Sequence, residues 1–129
     1  MATTYVRSAS GIMDASKVIG CRVENPKGEN LGKIESLMVD LSEGRILYAI
    51  LSFGGFLGMG DKLFPVPLNS FSFRTDATKG SLERCILNVE KETLKSAPGY
   101  DRDELPSSAD RDFATRVYTH YGATPYWSE

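Results

Sequence analysis

Four glycines, Gly54, Gly55, Gly58 and Gly60, crowd together just ahead of Lys62. A glycine-rich loop followed by a lysine is the raw material of a phosphate cradle, because bare backbone N–H groups can surround the anion. The spacing does not suit that chemistry. It is not G-x-G-x-x-G, no helix-forming run follows, and Lys62 lacks the preceding Gly and following Ser or Thr of a phosphate loop. The glycines are instead expected to make a tight excursion between two strands. Its apolar content, Phe56, Leu57 and Met59, either packs over a barrel end or offers a surface to a protein partner.

The remaining reactive side chains are sparse. His120 is the only histidine, and no spacing of serines and acids completes a triad around it. It is expected to be solvated at a helix end. Asp61 and Lys62 read as a surface or loop-fixing pair. Asp101, Asp103 and Glu104 lack the further oxygen ligands and the fixed glycine of a calcium loop. Cys21, Cys85 and His120 supply too few ligands for a metal site. The two cysteines are expected to be small buried hydrophobes, with a disulfide as the alternative. No catalytic residue, metal or cofactor is expected, so the chain reads as a non-enzyme. Tyr126 and Trp127, close to the end, are expected to dock either onto the domain itself or onto a second subunit.

The elements that carry these residues are mostly short strands. Asp14 to Gly20 predicts one turn of helix, and Cys21 to Glu24 a strand. Asn25-Pro-Lys-Gly28 is a turn in which Pro26 presets φ and Gly28 takes the positive-φ position. A strand from Leu31 to Leu41 changes its inward face partway, which predicts a bulge or a change of sheet, with Gly32 as a bend. Arg45 to Phe53 is apolar on both faces, with Ile46, Tyr48 and Ile50 on one and Leu47, Ala49, Leu51 and Phe53 on the other. A strand covered on both faces is central, or it lies between a barrel interior and a packed outer layer. Lys62 to Val66 holds Pro65 and precedes Pro67, so its pairing is confined to an edge or stops there. Strands over Phe71–Arg74 and Glu83–Val89 follow, then a short helix over Glu90–Ala97. Six short strands predict a mainly β domain, a small barrel or sandwich. After an irregular connection, Ser107-Ser-Ala-Asp110 predicts a capping box and a helix to about His120. Its apolar stripe is Ala109, Phe113, Val117 and Tyr121, with Ala114 and Tyr118 beside it.

The chain has 129 residues, enough for one domain with one core. Its net charge of −2 argues against general nucleic-acid binding. The acidic excess sits late: residues 1–97 hold 12 basic and 11 acidic side chains, whereas residues 98–129 hold 3 and 6. No stretch has the apolar length of a signal peptide or a membrane span. A cytoplasmic location is expected, with no membrane insertion. The organisation expected is a flexible arm over 1–13, a barrel domain over 14–98 and a C-terminal helical extension over 99–129.

With these residues in hand, the chain resembles the PRC-barrel family. The matching segments are Gly20-Cys-Arg-Val23, Gly28-Glu-Asn-Leu-Gly-Lys-Ile-Glu35, Val39-Asp40, Gly44-Arg-Ile-Leu-Tyr-Ala49, Ser52-Phe-Gly-Gly-Phe-Leu-Gly-Met-Gly-Asp-Lys62 and Phe64-Pro-Val-Pro67. The resemblance covers about Ala15 to Pro98. The family takes its name from the cytoplasmic domain of the photosynthetic reaction-centre H subunit and includes the C-terminal domain of a ribosome maturation factor. The resemblance implies a β-barrel of about six strands and a role in binding proteins or assembling complexes. It brings no catalytic residues. A binding module, expected as a homodimer, leads. The alternatives are an accessory factor peripherally associated with a membrane or photosynthetic electron-transfer complex, and a ribosome-associated factor docking on a ribosomal protein.

Overall fold

The computed structural model describes residues 3–5, 12–54, 61–76, 81–101 and 110–128. The strands are β1 (Thr3–Tyr5), β2 (Arg22–Glu24), β3 (Asn30–Asp40), β4 (Arg45–Gly54), β5 (Asp61–Val66), β6 (Phe71–Asp76), β7 (Ser81–Leu87) and β8 (Tyr100–Asp101). The helices are α1 (Ala15–Val18), α2 (Lys91–Leu94) and α3 (Arg111–His120). Short 3-10 turns cover Leu68–Ser70 and Tyr126–Ser128.

The protein is mainly β, and all six expected strands are present. The expected six-stranded closed barrel is not. Eight strands make one sheet in the order β1-β6-β7-β2-β3-β4-β5-β8, and no pairing joins its two ends among the described residues. The edges that closure would have to join are already occupied. β1 pairs with β6 from within the expected flexible arm, and β8 pairs with β5 from within the expected irregular connection. Covering both edges with short strands satisfies the backbone groups that closure would otherwise satisfy. The outer pairing of β5 stops at Leu63, two residues before Pro65, which has no N–H to give.

Two bulges in the β3–β4 pair set which of its side chains face where. Between Ile34↔Leu51 and Ser36↔Ile50, Glu35 is an extra residue on β3; between Met38↔Tyr48 and Val39↔Ile46, Leu47 is an extra residue on β4. The second bulge corrects the simple alternation expected for β4. Leu47 joins Tyr48 and Ile50 on one side, whereas Ala49, Leu51 and Phe53 face the other. A bulge lets two successive residues share a face.

The first core lies on the concave side, around Val23, Leu31, Ile34, Leu51, Phe64 and Leu87. Gly32 allows β3 to approach β4 there. It has φ +103, and an added Cβ would stand 1.9 Å from the Ser52 carbonyl oxygen. It therefore serves close strand approach, and the β2–β3 register also shifts beside it, between Val23↔Gly32 and Glu24↔Asn30, where a bend was expected. The second core lies under α3, where Ala114, Val117 and Tyr118 meet Leu47, Tyr48, Ile50 and Leu63. α3 begins at Arg111, with Asp110 as N-cap accepting from the Asp112 N–H at 2.8 Å. Asp110 is thus the cap itself, and not the N3 residue of a capping box that starts at Ser107. Ser107 and Ala109 lie outside the described residues.

Candidate functional site

The expected apolar loop residues Phe56, Leu57 and Met59 lie outside the described residues. The other expected interaction residues are well placed in the fold. Tyr126 and Trp127 pack against α3 and the β3–β4 turn of their own chain. The Trp127 ring meets Tyr118 edge-on with centroids 4.9 Å apart, and it meets Tyr126 at the same 4.9 Å. The Arg45 guanidinium lies 4.1 Å from the Tyr126 ring centre, and that of Arg111 lies 4.9 Å from Trp127. Both aromatics remain half-buried.

Asp40 organises this docking. Its Oδ1 accepts from the Ser42 hydroxyl at 2.7 Å and from the Ser42 and Glu43 N–H groups, which fixes the turn after β3. Its Oδ2 accepts from the Tyr126 hydroxyl at 2.6 Å and from Arg111 Nη2 at 2.7 Å. The Tyr126 bond, followed by those from Ser42 and Arg111, holds the Asp40 carboxyl well below the usual carboxylate range. One short acid thus ties a strand end, a helix start and the tail. In the sequence Asp40 stands out only as part of the Val39-Asp40 segment. Its partners lie 71 and 86 residues away, so no local pattern shows the node.

The concave core reaches the surface at one end. There Met13, Val18, Leu37, Ile46, Phe73 and Leu82 line a groove of about 180 Å³. Every lining residue is non-polar. Val18, Leu37, Phe73 and Leu82 also pack on the concave core, so the groove continues that core outward. Large apolar side chains flank it in the chain. Ile12 is 89% exposed beside Met13, and beyond Leu37 on the same strand and turn Val39 is 55% and Leu41 89% exposed. The change of face along β3 was the signal in sequence. That α1, β3, β4, β6 and β7 bring these residues together was not visible there.

The polar concavities are shallower in chemical content. One of about 540 Å³ is lined by Glu24, Lys27, Ser72, Arg74, Arg84 and Asn88. Its Arg84 is already paired with Glu24 at 2.7 Å. A second, of about 450 Å³, includes Ser70, Asn88, Glu90, Thr93, His120 and Tyr121. His120 is exposed at the end of α3, its ring edge-on to Tyr121 at 4.8 Å. The buried Tyr121 hydroxyl has no hydrogen-bond partner among the described residues, and burial pushes its pKa up. The thiols of Cys21 and Cys85 are free and buried. Lys62 is exposed and its Nζ lies 5.9 Å from the Phe64 ring centre. Asp101 is exposed on β8, and Asp103 and Glu104 lie outside the described residues. Among the described residues, no helix is long and apolar enough to cross a membrane.

Comparison with curated proteins finds no match. The family model of the PRC-barrel domain matches residues 10–82. That span runs from just before the groove residue Met13 through Leu82, and it takes in β2 to β6 together with both bulges of the β3–β4 pair. It covers more than half of the chain, and the chain belongs to the PRC-barrel domain family.

Proposed function

We propose that this protein is a non-enzymatic binding module whose apolar groove receives an apolar segment of a protein partner, with a second copy of the chain as the occupant. The observation that carries the reading is the wholly non-polar groove, with Ile12, Val39 and Leu41 exposed close in the chain to its lining residues Met13 and Leu37. Apolar side chains grouped at a surface mark interaction sites more than isolated ones do. The family is compatible with a binding or assembly role. The small net charge of −2 imposes little repulsion between copies, and closed two-fold dimers are the commonest homo-oligomers. The aromatic tail is engaged within the chain, which favours the groove over Tyr126 and Trp127 as the contact surface.

Light scattering over a concentration series tests this reading. The expected result is a dimer at high concentration for the native sequence and a monomer for the double variant Val39→Ser, Leu41→Ser. The variant should melt at nearly the native temperature, because exposed positions change stability by only about 0.5 kcal/mol. A strict monomer for the native protein at every concentration would refute self-association. Recovery in membrane complexes or with ribosomal subunits would then favour the accessory or the ribosome-associated role.

A further inference from the structure

The Cys85 thiol donates a hydrogen bond to the Cys21 sulfur at 3.0 Å, although the two residues are 64 apart in the chain. Both are buried, Cys21 at 8% exposure and Cys85 at 0%. Their place in the sheet matters. β2 and β7 form the one parallel pair among the described strands, in register only at Val23↔Cys85 and Glu24↔Ile86. This two-residue seam joins β1-β6-β7 to β2-β3-β4-β5-β8. Parallel pairing is slightly weaker per residue than antiparallel, and β2 has three residues to give. Across the seam, side-chain links include the half-exposed Arg84–Glu24 pair and the Asn25 Nδ2 bond to the Val89 carbonyl at 3.2 Å.

We infer that Cys21 and Cys85 are a reversible oxidation site, at which a hydroperoxide converts the two thiols into a disulfide that ties β2 to β7. The sulfurs need approach by only about 1 Å to reach bonding distance, which side-chain rotation supplies. Cys21 is the accessible member. It follows Gly20 directly after α1, a single turn with no buried residue. Local opening of such a turn exposes Cys21 while the sheet stays paired.

The hydrogen bond also assigns the roles. The Cys85 S–H aimed at the Cys21 sulfur favours negative charge on Cys21, and the same bond together with burial keeps Cys85 protonated. The Cys21 thiolate attacks the outer oxygen of the hydroperoxide; the O–O bond breaks, and water or an alcohol leaves. Cys21 is then a sulfenic acid. The Cys85 sulfur attacks the Cys21 sulfur; the S–O bond breaks, and water leaves with the Cys85 proton. Two thiols are oxidised by one hydroperoxide, and a dithiol restores both.

The test treats the full chain with hydrogen peroxide, denatures it, alkylates free thiols and measures intact mass. The expected product is a monomer lighter by two hydrogen atoms, without alkyl adducts, and restored by dithiothreitol. Its melting midpoint should rise by on the order of 10 °C, because the bond closes a long loop. In Cys85→Ser, dimedone should trap the sulfenic acid at Cys21. Cys21→Ser should leave Cys85 unoxidised under the same treatment. Full alkylation of both cysteines after peroxide, or a disulfide between two chains, would overturn the inference. The mass and melting measurements on the native sequence decide it even where a variant does not fold.

Discussion

The central strand β4 is buried on both sides, and its two sides are closed by different means. On the concave side, Ala49, Leu51 and Phe53 meet side chains mostly from the sheet itself, and Leu94 of α2 and Ala97 just after it complete the apolar packing. On the other side, Leu47, Tyr48 and Ile50 are covered by α3 and the tail, which arrive from far along the chain. That cover is fastened by directed polar bonds. Tyr118 donates to the Leu47 carbonyl at 2.5 Å, and Asp40 holds Arg111 and Tyr126. The Leu47 bulge turns its side chain toward the helix. The concave face depends on close packing, whereas the outer face depends on packing plus a few specific bonds. The two should therefore fail in different ways.

The strongest break is expected on the concave side. Gly32→Ala places a Cβ 1.9 Å from a backbone oxygen and puts alanine at φ +103. Neither strand can yield cheaply there, and the loss should reach about 4 kcal/mol or more. Urea denaturation should show little folded protein. Phe64→Ala, at a residue 1% exposed, should cost about 4 kcal/mol through lost burial and a residual cavity. Equilibrium unfolding measures this directly. A cost below about 1 kcal/mol would mean that the concave core is loosely packed.

The outer face should be more tolerant and more sensitive to chemistry. Tyr118→Phe keeps the ring and removes only the hydroxyl bonded to the Leu47 carbonyl. It should cost about 2 kcal/mol, because the carbonyl loses its partner in a buried setting. Asp40→Asn is expected to have the smallest effect near neutral pH and to be most visible through acid dependence. The Asp40 pKa is lowered in the folded chain. Its contribution is therefore complete above about pH 4, where the unfolded chain is ionised, and is lost as pH falls toward the native value. Melting the two proteins between about pH 5 and pH 2 should show a shallower decline for the variant. Parallel declines would mean that Asp40 does not fasten the tail.

Much of this was legible in the chain. The Asn25 to Gly28 turn forms as expected. Gly28 has φ +85, and the buried Asn25 side chain accepts from the Lys27 and Glu29 N–H groups. Phe71 and Phe73 share a face with rings 5.9 Å apart. The apolar content of Arg45 to Phe53 marked the central strand. β1 and β8 were missed because three and two residues carry almost no periodic signal. Their pairing depends on edges that only the assembled sheet provides. The side chosen by Leu47 was missed because one bulge reverses alternation without changing composition.

The candidate surface divides in the same way. The sequence alone marked Phe56, Leu57 and Met59 as an apolar cluster and Tyr126 and Trp127 as aromatics in need of a surface. Contacts between neighbours in the chain follow from spacing, because spacing sets which side chains share a face. The groove needs five separate elements to converge, the Asp40 node joins residues 71 and 86 positions apart, and the thiol pair spans 64. Local periodicity carries no information about such distances. By itself the sequence determined six of the eight strands, the Asn25 to Gly28 turn, the family and the two-sided burial of β4. Only the tertiary structure decided that the sheet stays open, that the tail docks on its own chain, and that Cys21 lies against Cys85.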